Sequence, residues 1–171
     1  MQRQKAFTLL ELLITTSVTA LLMLGISSLF ITFLATAYKN RISQNLRESG
    51  SNAINQMTDM MRNASEISST CVANEPLNYI ELINADGFDT TLKKEDNRIA
   101  SISATTNGKF YLTESSDNPN YISNLLFTCY PTPEGKKYIE IEFTLRTGDG
   151  EASNSARSTT LDFSSGLVTR N

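Results

Sequence analysis

Residues 12–38 have the sequence LLITTSVTALLMLGISSLFITFLATAY, a run without a charged side chain between Glu11 and Lys39. About 20 mostly apolar residues suffice for a helix to cross a bilayer, so this run is long enough. Its apolar side chains would lie on all sides of a helix, which is typical of contact with lipid or a tightly packed bundle. The interspersed Ser and Thr hydroxyls can bond carbonyls of the preceding turn. The run therefore predicts a transmembrane helix.

The charges before this run predict its orientation. Arg3 and Lys5 precede it, and the positive-inside rule then places the N-terminus in the cytoplasm and the rest of the chain outside. A cleaved secretory signal is the alternative, but it would have a shorter apolar segment followed by a small-residue cleavage site. We therefore predict a single-pass membrane protein with an extracytoplasmic head.

Glu11 is the residue that a plain membrane anchor does not explain. A carboxylate is costly to bury in lipid, and ionisable groups in membrane segments usually mark a function with a definable partner. The other interpretation is a boundary residue whose carboxylate reaches the cytoplasmic interface. Charge alone favours this second interpretation.

Composition excludes several classes of function. The chain contains no histidine, which excludes Ser-His-Asp and Cys-His catalysis and any His-ligated metal. Its net charge of −3 speaks against nucleic acid as the main partner. The acidic turns at residues 86–89 and 148–151 have oxygen donors for calcium, but neither has EF-hand spacing. We predict no enzymatic activity, no cofactor and no metal.

Beyond residue 38 the apolar positions narrow to one helical face. They recur at steps of three and four, which predicts an amphipathic helix; they are Ile42, Leu46, Ala53, Ile54, Met57, Met60, Met61, Ala64 and Ile67. Gly50 interrupts the pattern and predicts a soft point. We expect one helix over about residues 7–65, with Met57, Met60 and Met61 in the core rather than in a groove for a partner.

The remaining sequence predicts β-strands. Candidates are residues 78–83, 98–105, 109–113, 121–130, 137–146 and 158–163. Asn107-Gly108 predicts a tight hairpin, and the charges at residues 93–96 predict a solvated turn. The expected fold class is α+β, a long N-terminal helix whose C-terminal half packs on one antiparallel sheet.

Cys71 and Cys129 are the two cysteines of the chain. Outside the cytoplasm an even number favours a disulfide, and two buried thiols are the alternative. The bridge would contribute about 3–4 kcal/mol in the loop-entropy model.

Residues 6–13, AFTLLELL, resemble the processing site of type IV prepilins and pseudopilins. Members of that family have a short basic leader, then a start of the form Phe-Thr-Leu-x-Glu, as at residues 7–11, and then a long apolar helix. The resemblance implies that prepilin peptidase cuts between Ala6 and Phe7 and that the new Phe7 amine is methylated. The family usually has Gly where this chain has Ala6. In this family Glu11 would pair with the N-terminal amine of a neighbouring subunit, which favours a functional role for it.

This family role agrees with the electrostatics of the buried groups. A buried carboxylate and a buried ammonium are each expensive, but together they form a charge-assisted pair that fixes axial register. The partners that the resemblance implies are other pilin or pseudopilin subunits, the prepilin peptidase/methyltransferase, the inner-membrane assembly platform and the lipid bilayer.

Residues 46–64 and the ending at 164–171 are similar to J-type pseudopilins and PilW-like minor pilins. This second resemblance implies a minor subunit of a type IV pilus, a type II secretion pseudopilus or a DNA-uptake pilus. The expected segments are a leader (1–6), a transmembrane assembly helix (7–38), an amphipathic helix (39–67) and a β-rich head (68–171). The alternative function is a membrane-anchored adhesin or binding protein outside any filament.

Overall fold

One long helix precedes nine strands in the part of the chain that the computed structural model describes, residues 8–106, 108–113, 120–132, 135–147 and 159–169. The helix α1 spans Leu9–Asn63. The strands are β1 Glu66–Ile67, β2 Pro76–Leu77, β3 Tyr79–Ile83, β4 Asp89–Glu95, β5 Arg98–Ser103, β6 Lys109–Tyr111, β7 Asn120–Pro131, β8 Lys137–Thr147 and β9 Thr159–Val168. The α+β class predicted from the sequence is confirmed.

The chain divides into two compact units, Met1–Arg41 and Ile42–Asn171. In the first unit every described side chain is exposed, and the helix is long and apolar enough to cross a membrane. Seven of its Ser and Thr hydroxyls donate to carbonyls within the helix, as expected. Thr16 donates to Leu12 O (3.0 Å), and Ser27 donates to Met23 O (2.8 Å). These polar groups can therefore enter lipid without losing their hydrogen bonds.

The second unit contains two antiparallel sheets rather than the single sheet expected from the sequence. Sheet 1 has the order β1-β3-β4-β5-β6, and sheet 2 has the order β2-β7-β8-β9. Backbone and side-chain hydrogen bonds join them: Ile122 N–H donates to Asn97 O (2.8 Å), and Lys94 Nζ donates to Ser123 O (3.1 Å). The middle strand of sheet 1 is β4, which begins at Asp89 and was not predicted from the sequence.

That missed strand, β4, corrects the prediction of a turn at residues 93–96. Lys93 and Glu95 lie within β4 and form an ion pair of 3.2 Å, and Lys109 of β6 pairs with the same carboxylate. The hydrogen bond from Lys109, followed by that from Lys93, lowers the pKa of Glu95. The turn lies at the end of the predicted range and just beyond it, at Asp96 and Asn97, which both have positive φ. Glu95 thus has one cationic partner on its own strand and a second on β6, and these ion pairs offset part of the cost of placing a charged run in a strand.

The hairpin between β5 and β6 forms, but its turn is longer than predicted. Ile102 pairs with Lys109, and Ser103 N–H donates to Gly108 O (3.1 Å). Gly108 therefore closes a loop of several residues rather than a two-residue turn. Asn107 lies outside the described residues.

The hydrophobic core lies between one face of α1 and the two sheets. The helix contributes Leu46, Ala53, Met57 and Met61, each at most 1% exposed. The sheets contribute the other large buried side chains, namely Ile80, Leu82, Leu92, Ile99, Ile122, Phe127, Ile139, Ile141 and Phe143. The methionines therefore pack in the core, as predicted.

Gly50 is part of this packing rather than a soft point in the helix. It is buried on the same stripe as Leu46 and Ala53, and a Cβ added to it would overlap the ring of Phe163 in β9. That ring stacks on Phe143 with 5.1 Å between centroids. The missing side chain therefore admits an aromatic ring against the helix backbone, which explains a glycine at an unfavourable position.

Cys71 and Cys129 form a disulfide, with 5.3 Å between their Cα atoms and 58 residues between them in sequence. Cys71 lies in the connection between β1 and β2, and Cys129 is a buried residue of β7. The bridge therefore fastens the chain that leaves sheet 1 to a central strand of sheet 2.

We predict that Gly50→Ala destabilises the head by about 1 kcal/mol. Overpacking against Phe163 costs about 1–3 kcal/mol, and the better helix propensity of alanine returns about 1 kcal/mol. Thermal unfolding of the full chain in detergent measures the change, and Ser51→Ala at a neighbouring exposed helix position serves as control.

A double-mutant cycle identifies the cause. In a Phe163→Leu background the ring is absent, so Gly50→Ala should cost less than in the native chain. An equal cost in both backgrounds would show that Phe163 does not select glycine at this position.

We further predict that replacing both Cys71 and Cys129 by serine lowers the free energy of unfolding by about 3–4 kcal/mol, because an open chain gains loop entropy when it unfolds. Denaturant titration measures this loss, and the oxidised native protein should resist alkylation. Rapid labelling of the folded, non-reduced protein would contradict the disulfide.

Candidate functional site

Thr8 caps the N-terminus of α1. Its Oγ1 accepts a hydrogen bond from the Glu11 N–H (3.3 Å), and its carbonyl accepts one from the Leu12 N–H (3.2 Å). A threonine three residues before a glutamate is the pattern of a capping box. This role of Thr8 was not predicted from the sequence, although the Thr-x-x-Glu signal is present there. The cap defines where the helix begins and fixes the backbone around Glu11.

Glu11 lies in the first turn of α1 and is exposed. The helix dipole places positive partial charge at this end, which favours a carboxylate there. The described part of the chain gives this carboxylate no ion pair, since the ion pairs found there all involve Glu95. The carboxylate is therefore accessible to a cation from outside the described chain.

The surface around Glu11 is strongly apolar. Leu9, Leu10, Leu12 and Leu13 are between 59% and 84% exposed, and the same character continues along α1 to Tyr38. An exposed apolar surface of this extent marks contact with a membrane or another protein. The candidate site is therefore one carboxylate at the start of a helix, among exposed apolar side chains.

The other residues predicted for this site, Arg3, Lys5, Ala6 and Phe7, lie outside the described residues. Their roles as orientation charges, cleavage position and methylation position stay predictions. In the sequence Phe7 directly precedes Thr8, and Glu11 lies in the first turn of α1.

The acidic turn at residues 86–89 is organised by its own hydrogen bonds. Asp86 Oδ1 accepts from the Phe88 N–H (3.1 Å), and Gly87 adopts a positive φ of 81°. Asp89 belongs to β4. Among the described residues no group of three or more His, Cys, Asp or Glu side chains is arranged to hold a metal. The second acidic turn, at 148–151, lies outside them.

Comparison with known proteins supplies the identity of the N-terminal segment. Residues 1–27 match the family model described as the prokaryotic N-terminal methylation motif. No curated protein and no solved structure matched the chain. Proteins with this motif are structural rather than enzymatic. The chain therefore carries the type IV pilin and pseudopilin signature, which indicates a type IV pilin-like filament subunit with a membrane-anchoring N-terminal helix.

Proposed function

We propose that the protein is a minor subunit of a type IV filament, either a type IV pilus, a type II secretion pseudopilus or a DNA-uptake pilus. The observation that carries the proposal is the methylation motif at residues 1–27, which includes the start of a helix whose apolar side chains are exposed as far as Tyr38. Such a helix can reside in lipid as a single-pass anchor and can later be covered by the helices of neighbouring subunits.

Processing would convert the membrane protein into an assembly-competent subunit. Prepilin peptidase would cut between Ala6 and Phe7, and the new Phe7 amine would be methylated. Cleavage removes Arg3 and Lys5, which changes the net charge from −3 to −5. It also places a cationic amine immediately before the cap of α1, within an otherwise apolar segment. The mature N-terminus thus carries one positive and one negative group close together.

The Glu11 carboxylate of one subunit would form an ion pair with the Phe7 amine of a neighbouring subunit. A buried carboxylate or ammonium without a partner costs several kcal/mol, and a well-formed pair offsets much of that cost. The apolar side chains of α1 alone give little axial discrimination, because a helix that slides along a similar neighbour buries a similar surface. Pairing of Glu11 with the Phe7 amine of a neighbour would be favourable at one position only. This pair would therefore set the register of the subunit.

The minor role rests on the resemblance of residues 46–64 and 164–171 to J-type and PilW-like subunits. Such subunits initiate or cap a filament rather than form its repeating body. The proposed segments are the leader (1–6), the assembly helix (7–38), the segment 39–67 and the head (68–171). The expectation of a helix throughout 39–67 is corrected by the fold, since α1 ends at Asn63 and residues 66–67 form β1. The partners would be other pilin or pseudopilin subunits, the peptidase and the inner-membrane assembly platform.

We predict that the mature protein lacks residues 1–6 and carries one additional methyl group on Phe7. Intact-mass measurement of the protein purified from membranes tests this, with cells that lack prepilin peptidase as control. Only the control cells should yield the unprocessed mass. An intact leader in cells with active peptidase would contradict the filament function and favour an anchored binding protein.

We also predict that Glu11→Gln leaves membrane insertion unchanged and lowers incorporation into filaments at least tenfold. Loss of one partner from a buried pair costs about 3–5 kcal/mol, which is well above the 1.4 kcal/mol for a tenfold change. Quantitative immunoblots of membrane and sheared-filament fractions provide the measurement.

The matched control is Glu48→Gln, which removes a carboxylate from an exposed position of the same helix. This variant should assemble normally. Equal assembly of Glu11→Gln and the native protein would make Glu11 a boundary residue without a function in assembly.

A further inference from the structure

The last strand of sheet 2, β9, is a long edge strand. Within the described residues it pairs with β8 alone, through ten successive residue pairs without a register shift. The other edges of the two sheets are short: β1 and β2 have two residues each, and β6 has three. A long regular edge exposes a row of backbone donors and acceptors, which is a template for another strand.

Strand β9 also lacks the features that usually protect an edge. Proteins place Lys, Pro or a bulge on exposed edge strands to prevent pairing with other chains. Strand β9 has the sequence TTLDFSSGLV, with neither Lys nor Pro and one charged residue, Asp162. Its regularity and its composition thus both permit the addition of a strand.

The orientation of the unpaired backbone groups follows from the ends of the ladder. Thr169 N–H donates to Lys137 O (2.9 Å), and Thr159 N–H donates to Thr147 Oγ1 (3.4 Å). Backbone groups alternate sides along a strand, so the odd-numbered residues of β9 face β8. The even-numbered residues, which include Asp162 and Ser164, therefore direct their N–H and C=O groups to the open edge.

The inner side chains of β9 are less covered than those of its neighbour. Leu161 and Phe163 are half-buried, whereas the inward side chains of β8, Ile139, Ile141 and Leu145, are completely buried. An added strand with apolar side chains on its inner face would cover Leu161 and Phe163 and remove more apolar area from water.

The outer face of β8 and β9 carries the carboxylates of Glu142 and Asp162, which favour a partner with positive charge on that face. A shallow depression of about 340 Å³ is lined by Asn124, Glu142, Thr144, Asp162 and Ser164, beside Phe143 and Phe163. Asp162 Oδ1 accepts a hydrogen bond from Thr144 (2.7 Å), and none of the described residues that line the depression is basic. A strand with Lys or Arg on its outer face would place a cation against these carboxylates.

We propose that β9 is an interaction edge that receives an extended segment of another filament subunit by strand addition. The segment alternates apolar residues on its inner face with basic residues on its outer face. The class of partner rests on the proposed filament function; the edge, its polarity and its charge rest on β9 itself. Backbone hydrogen bonds would provide affinity, and the carboxylates would provide selectivity.

The direct test measures binding of synthetic peptides to the full chain in detergent micelles. The probe is an eight-residue peptide that alternates lysine with valine or threonine and has blocked termini. Two matched peptides serve as controls, one with glutamate in place of lysine and one with N-methylated backbone amides. The lysine peptide should bind at least tenfold more tightly than either control. Equal binding of the N-methylated peptide would overturn strand addition, since that peptide cannot pair along the edge.

Substitutions in β9 complete the test. Ser164→Pro removes an N–H that faces the open edge and leaves the bonds to β8 in place, so peptide affinity should fall at least tenfold. Ser164→Ala keeps the N–H and should bind like the native chain. Asp162→Lys reverses the charge and should weaken the lysine peptide. Unfolding transitions of the variants verify that each head is folded. Unchanged affinity in both Ser164→Pro and Asp162→Lys would overturn the inference.

Assembly in cells separates this inference from the proposed function. Ser164→Pro should be processed and inserted like the native protein but recovered less in sheared filaments. Native protein absent from filaments would contradict the filament function, whereas the peptide measurements would still decide whether β9 is an interaction edge. Normal assembly of Ser164→Pro would show that filament subunits do not use this edge.

Discussion

The apolar surface of α1 between Leu9 and Tyr38 has to be covered by something other than the described chain. Lipid and neighbouring helices both provide a cover that contains little water, so both impose the same condition on polar groups. The Ser and Thr hydroxyls meet it by bonding to carbonyls of their own helix. The Glu11 carboxylate has no ion-pair partner among the described residues. In the proposed function, the need to neutralise this one charge connects the membrane anchor with assembly.

The head is stabilised by contacts that do not depend on the membrane. The face of α1 from Ile42 to Met61 belongs to the head's own hydrophobic core, and Gly50 lets the ring of Phe163 approach the helix backbone. The disulfide between Cys71 and Cys129 joins the two sheets through the chain that leads away from β1. Most sheet edges are short, and β9 is the exception, which makes it the natural surface for a further partner.

Much of this was available from the sequence because the strongest signals are periodic. The uncharged run and the stripe from Ile42 to Met61 predicted the helix and its buried face, and the alternation in residues 137–146 predicted β8. Strand β4 was missed because the charges at Lys93 and Glu95 resemble a solvated turn until Lys109, the partner of Glu95 14 residues further along the chain, is known. Gly50 was misjudged for the same reason, since its contact with Phe163 depends on the tertiary fold. The cap at Thr8 was a local signal and could have been predicted.

The central claim is that the apolar helix leaves the bilayer and becomes part of a filament. Its most direct test is the distribution of the protein between membranes and sheared filaments prepared without detergent. We expect processed copies to sediment with the filaments, in small number relative to the main subunit. Retention of every copy in the membrane fraction, while filaments form normally, would contradict it.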